Sequence, residues 1–102
     1  TATMKFLDHV FDLQTYFKLN KIPYVMYNAL SNAVNLNNSD FNKIVKSLDE
    51  KRFFKFNNNH YDFVIKENMI VSPNDPHPSV EGHTKWANEL KEFIDANNLR
   101  TI

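Results

Sequence analysis

Ser72-Pro73-Asn74-Asp75-Pro76-His77-Pro78-Ser79-Val80-Glu81-Gly82-His83-Thr84-Lys85-Trp86-Ala87 is the stretch on which the reading of this chain turns. A residue that precedes proline is pushed toward extended backbone, so Pro76 restrains Asp75 and Pro78 restrains His77. Residues two apart on an extended chain project to the same side, which lets the Asp75 carboxylate and the His77 imidazole face one another. Ser79 caps a long helix, and His77 stands two residues ahead of it, near the positive end of the helix dipole. A neutral imidazole oriented by a carboxylate is the arrangement a general base needs near neutral pH.

Past the cap, His83, Trp86, Ala87, Leu90, Phe93, Ile94 and Asn97 fall on one helical face, with Glu81, Lys85, Glu89 and Lys91 pointing outward. The helix is expected to stop at Asn97 and Asn98, which tolerate the left-handed backbone of a helix end. Upstream, Thr3 to Asn20 has the same period: Phe6, Val10, Leu13 and Phe17, joined by Leu7 and Phe11, oppose Lys5, Asp8, Gln14 and Lys18. Ile22 to Ala29 is a nearly unbroken apolar run, the form of a strand buried on both faces. Leu30 to Asn38 reads as a polar loop, after which Ser39 caps a second helix with Asp40 in its first turn and Phe41, Ile44, Val45 and Leu48 as its stripe, ending near Asp49. Phe53, Phe54 and Phe56 precede three asparagines, and Tyr61, Phe63, Val64 and Ile65 form either a short strand or a packed loop. The order helix, strand, helix, irregular segment, helix predicts a layered α/β fold with few parallel strands and a long C-terminal helix.

Composition narrows the chemistry. The 102 residues suffice for one core, so 1–102 is read as a single domain. Lys plus Arg and Asp plus Glu balance at 12 each, which lacks the electrostatic footprint of a nucleic-acid or polybasic membrane binder. No apolar run approaches the roughly 20 residues of a membrane span, and the protein is expected to be soluble, with the cytoplasm as its expected compartment. There is no cysteine, which removes disulfides, thiolate metal sites and Cys nucleophiles. The single glycine, Gly82, leaves no glycine-rich phosphate loop or Gly-lined oxyanion turn. The chain opens directly into a helical pattern with no strand ahead of it, as a piece of a longer α/β domain would.

The pattern Asp75-Pro76-His77-Pro78-Ser79-x-x-Gly82-His83-x-x-Trp86-Ala87-x-x-Leu90 resembles the last motif block of the SGNH, or GDSL-like, hydrolase family. The resemblance is specific over residues 72–94 and only architectural over residues 3–50. It implies a partial three-layer, flavodoxin-like fold, of which this chain would be the C-terminal half. It also implies an Asp-His pair that completes a Ser-His-Asp triad, with His77 as base, Asp75 as its orienter, and Gly82 and His83 as structural parts of the final helix. The family's Gly-Asp-Ser nucleophile turn and its oxyanion-hole residues belong to segments ahead of this chain. Its usual spacing sets the Asp three residues before the His, where Asn74 stands, and Asp75 is preferred for its charge. The activity implied is hydrolysis or transfer of an ester or acetyl group on a carbohydrate or lipid, with no cofactor and no metal. The chain by itself is expected to be inactive, because triad members act as a unit. Ser31, Ser39, Ser47, Ser72 and Ser79 lack a strand-to-helix nucleophile turn.

Blander readings stand beside these. Asp75 and His77 also suit a Pro-rich turn that holds a histidine, and His83 a buried core position. His60 reads as a solvated loop residue. A metal site from His77, His83 and Asp75 matches no standard zinc spacing. The Lys51-Arg52-Phe53-Phe54-Lys55-Phe56 run could stack bases, but Phe53 and Phe56 suit core packing, as do Phe6, Phe11 and Phe17. The alternative to a hydrolase fragment is a non-enzymatic module of degenerate hydrolase origin that pairs its open sheet edge and apolar face with a second copy or a partner.

Overall fold

A computed structural model describes residues 2–32 and 46–102. Its described residues form a mixed α/β unit of three helices and two small sheets: α1 (Ala2–Leu19), β1 (Met26–Tyr27), a 3-10 turn (Glu50–Arg52), β2 (Phe53–Phe54), α2 (His60–Lys66), β3 (Ile70–Ser72), β4 (Asp75–Pro78) and α3 (Val80–Ala96). The second helix expected from Ser39 lies mostly outside the described residues, as does most of the loop before it. Leu48, at its expected end, is buried.

β1 and β2 pair in parallel, with Met26 opposite Phe53 and Tyr27 opposite Phe54. Successive strand residues point to opposite faces, and this ladder is lined on both. Phe53 joins Leu7 of α1, Leu48 and Phe56, with Val10 and Met26 against them. Phe54 joins Phe63 and Val64 of α2 and Trp86 of α3, with Val25, Met69, Ile70, Leu90 and Phe93 against them. Each such large apolar side chain taken fully from water contributes about 1.5–3 kcal/mol, so burial rather than a two-residue ladder holds the strands. The strand expected over Ile22 to Ala29 is therefore shorter than the apolar run, and it is not covered throughout: Ile22 and Tyr27 are exposed.

Polar tethers set where α1 lies. Buried Gln14, expected on the outer face, donates Nε2–H to the Asp49 carbonyl at 3.3 Å and accepts the Asp49 N–H at 2.8 Å. The helix is consequently rotated so that Leu7 and Gln14 face inward while Phe6, Phe11 and Leu13 are exposed; of Phe6, Phe11 and Phe17, expected as core, the first two are exposed and Phe17 is half-buried. Arg52 is buried too, its guanidinium donating to the carbonyls of Tyr24, Leu99 and Thr101 and lying over the Tyr24 ring. Lys55 lies over the Phe54 and Phe63 rings and pairs with Glu89 at 3.5 Å, so these cations serve packing and not a base-stacking platform.

All three helices end in the same way without glycine. Lys21, Asn68 and Asn98 adopt positive φ, and the N–H of the next residue, Ile22, Met69 or Leu99, returns to Phe17, Val64 or Ile94. This is the Schellman closure with an apolar residue after the left-handed one. The segment 60–66, expected as a strand or packed loop, is helical because Asn59 caps it: its Oδ1 accepts the Asp62 N–H at 2.7 Å.

β3 and β4 form an antiparallel hairpin with an irregular register, Ile70 opposite Pro78 and Ser72 opposite Asp75. α3 leaves it at Ser79, whose Oγ accepts the Gly82 N–H at 3.1 Å and whose own N–H reaches the Met69 carbonyl at 2.9 Å. A Cβ on Gly82 would lie 2.6 Å from that carbonyl oxygen and 3.1 Å from a Val64 methyl. Glycine is thus required here for closeness and not for φ. Gly82→Ala gains about 1 kcal/mol of helix propensity but overpacks the contact, which costs about 1–3 kcal/mol. The variant is expected to unfold at lower urea with the same m-value; an unchanged or higher midpoint would show that the contact has room.

Candidate functional site

The hairpin and the helix that follows it bring the two expected site residues together. Asp75 and His77 sit two apart on β4, the residues ahead of Pro76 and Pro78, and Asp75 Oδ1 lies 2.5 Å from His77 Nδ1. The same oxygen accepts the His77 backbone N–H at 3.2 Å. The carboxylate on His77 is therefore that of Asp75, while Asn74 lies in the β3–β4 turn. Hydrogen bonds from the His77 ring, then from its N–H, hold the Asp75 carboxyl below the usual carboxylate range. The His77 side chain is 83% exposed and that of Asp75 45%, so water screens this pair and leaves the outer edge of the imidazole open.

His77 borders a cavity of about 310 Å³. Ala29, Leu30, Tyr61, Pro76 and Pro78 supply its apolar surface, and His60, His77 and His83 bring three imidazoles to it. Its position follows from the chain just past β1. Asn28 is buried and donates Nδ2–H to the carbonyls of Phe56 and Asn58, both at 3.0 Å. The carbonyls of Asn28 and Ala29 accept the N–H groups of His60 and Tyr61, each at 3.0 Å. These bonds join the C-terminal end of a parallel strand to the start of α2. Fully buried Asn59 strengthens the junction, giving Nδ2–H to Asn32 Oδ1 and Asp62 Oδ2, both at 2.8 Å.

His60 and His83 depart from expectation. His60 is half-buried and stacks on Trp86, ring centroids 4.7 Å apart and planes 21° apart, instead of standing solvated in a loop. His83 is exposed on α3, its ring edge-on to His60 at 5.4 Å, instead of being buried. The His60 Nε2 is shielded from solvent with no hydrogen-bond partner among the described residues. Burial first, and the neighbouring His83 second, push the His60 pKa down, so this imidazole is neutral at pH 7. Among the described residues no three His, Asp or Glu side chains are grouped so as to hold a metal ion, and no helix is long and apolar enough to cross a membrane.

The part that His60 and Tyr61 play has little local signal in the sequence. Asn59 with Asp62 three residues on is an N-cap signal that places His60 at the first helical position. Nothing local shows that this position meets Trp86.

Comparison of the chain with protein-family models, with curated proteins and with solved structures gives no significant match.

The pH dependence of folding reports on His60. Its folded pKa lies below the ordinary 6.5, so between the two values the unfolded chain binds more protons and stability rises with pH. This contribution is fully present above 6.5 and is lost as pH falls toward the folded value. His60→Phe keeps a ring on Trp86 and removes the titration. The wild-type urea midpoint is expected to fall below pH 6.5 more steeply than that of the variant; parallel curves would show that His60 titrates normally.

Proposed function

We propose that this chain is the C-terminal half of an SGNH-like ester or acetyl hydrolase domain, in which His77 is the general base and Asp75 orients it. The observation that carries the reading is the 2.5 Å contact between Asp75 and His77 on the strand that feeds the last helix. The cavity beside it, at the C-terminal end of β1, supports the same reading, because ligands of open α/β sheets bind outside the carboxyl ends of parallel strands. With its Nδ1–H given to Asp75, His77 presents Nε2 as the acceptor that takes a proton from a hydroxyl nucleophile and returns it to the leaving alcohol. The serine and the oxyanion donors come from the other half, which in this reading also covers the exposed pair and adds strands to the sheet. The whole is then a three-layer, flavodoxin-like domain acting on an acylated carbohydrate or lipid.

A second reading, a non-enzymatic module of the same descent, is favoured by α1. Phe6, Leu13, Tyr16 and Leu19 are 46%, 45%, 56% and 78% exposed, a ridge that a second copy or a partner would cover. The two readings differ in what lies on that ridge and in whether His77 turns over an ester.

The test is the coding sequence ahead of Thr1 and the chain it specifies. The reading expects a strand followed by Gly-Asp-Ser and a longer chain that hydrolyses a chromogenic acetate ester. His77→Ala is expected to lower kcat by about 10⁴-fold or more. The 102-residue chain alone is expected to show no His77-dependent turnover. Absence of the serine turn, or a rate that His77→Ala leaves unchanged, overturns the proposal.

A further inference from the structure

The cavity also carries information about what is hydrolysed. Among the described residues no Lys, Arg, Asp or Glu lines it, so none of these gives a phosphate, carboxylate or ammonium group a counter-charge. Ala29, Leu30, Pro76 and Pro78 offer no hydrogen bond from their side chains, so a polyol seated against this part of the wall would leave hydroxyls unpaired, at a cost for each. The cavity's polar groups are the imidazoles of His60, His77 and His83 and the Tyr61 hydroxyl, and of these His60 Nε2 is shielded from water and without a partner among the described residues. A pocket of this kind takes a body that is mostly apolar, with a hydrogen-bonding group where it meets the imidazoles. Its volume of about 310 Å³ is roughly twice that of the ~150 Å³ engineered cavity that takes up benzene, which leaves room for roughly six to ten non-hydrogen atoms. His77 lies on its wall, so a chain seated in it ends beside the base.

We infer that the cavity bounded by Leu30, His60, Pro76 and His77 is a binding site for an uncharged aliphatic acyl chain, whose carbonyl or ester oxygen lies at the imidazoles of its wall. The substrate class is then a medium-chain acyl ester and not an acetylated sugar. This deepens the hydrolase reading and rests on it for the word acyl; the binding itself rests on the cavity.

Trp86, the sole tryptophan, stacks on His60 and reports occupancy by fluorescence. Methyl ketones from 2-butanone to 2-nonanone carry a chain and a carbonyl but no scissile bond. Titrated into the 102-residue protein, they are expected to give a saturable change, with affinity rising about fourfold for each methylene until the cavity is full. N-Acetylglucosamine and hexanoate are expected to give no saturation over the same concentrations. Leu30→Asp and Ala29→Phe, both at exposed positions, should weaken the ketones at least tenfold. His60→Phe, which keeps the ring, should lower affinity for the ketones several-fold and leave the dependence on chain length intact. Binding that ignores chain length, binding that survives both cavity variants, or saturation by the sugar alone overturns the inference. Ketones undergo no hydrolysis, so failure here leaves the His77 assay standing. Loss of that assay, with the chain-length series intact, removes the hydrolase and keeps the site.

Discussion

The approach of α3 to the carbonyl of Met69 is the constraint on which the rest of the site depends. That oxygen accepts the Ser79 N–H, and it occupies the space that a side chain at Gly82 would need. The first turn of α3 is thereby pressed on the end of α2 and the start of β3. Two prolines and a serine cap leave the chain between Asp75 and Gly82 little freedom to depart from this line. The carboxylate and the imidazole meet because the backbone that carries them is held at both ends. An exposed ion pair alone has too little energy to organise such a segment.

The ladder of β1 and β2 would not hold by itself, since two residues per strand make too few bonds to offset the ordering of the chain. It is held by the apolar clusters on its two faces and by polar side chains that reach across the sequence. Arg52 is the farthest-reaching of these. A guanidinium that serves three carbonyls ties the last residues to the approach of β1, and its fork matches several acceptors as an ammonium would not. The Asn-rich segment works similarly: Asn28 and Asn59, both buried, spend their amides on backbone and on one another's neighbours, and so fix the floor of the cavity.

What was legible in the sequence was local. α3 shows its cap, period and stop because Ser79, Trp86, Leu90, Phe93 and Asn98 act within one segment, and the Asp75–His77 geometry follows from the neighbouring prolines. What was not legible depends on contacts between distant residues. Gln14 has the polarity of a surface residue, and only the backbone of Asp49, 35 positions on, makes it interior. Phe63, Val64 and Ile65 have the composition of a strand, yet the Asn59 cap turns them into helix. His60 owes its place to Trp86, and β2 owes its pairing to β1, neither of which has a local signal. Half of the candidate site was therefore readable, the half on β4, while the wall formed by Ala29, Leu30 and His60 emerges only from the fold.

The central claim is that the Asp75 carboxylate orients His77, and the proton on His77 tests it most directly. In a long-range ¹H–¹⁵N spectrum, the neutral His77 ring is expected to carry its proton on Nδ1, with Nε2 bare, and Asp75→Asn should return the ring to the mixture of tautomers found in free histidine. A wild-type His77 with its proton on Nε2, or a spectrum that Asp75→Asn leaves unchanged, would contradict the account.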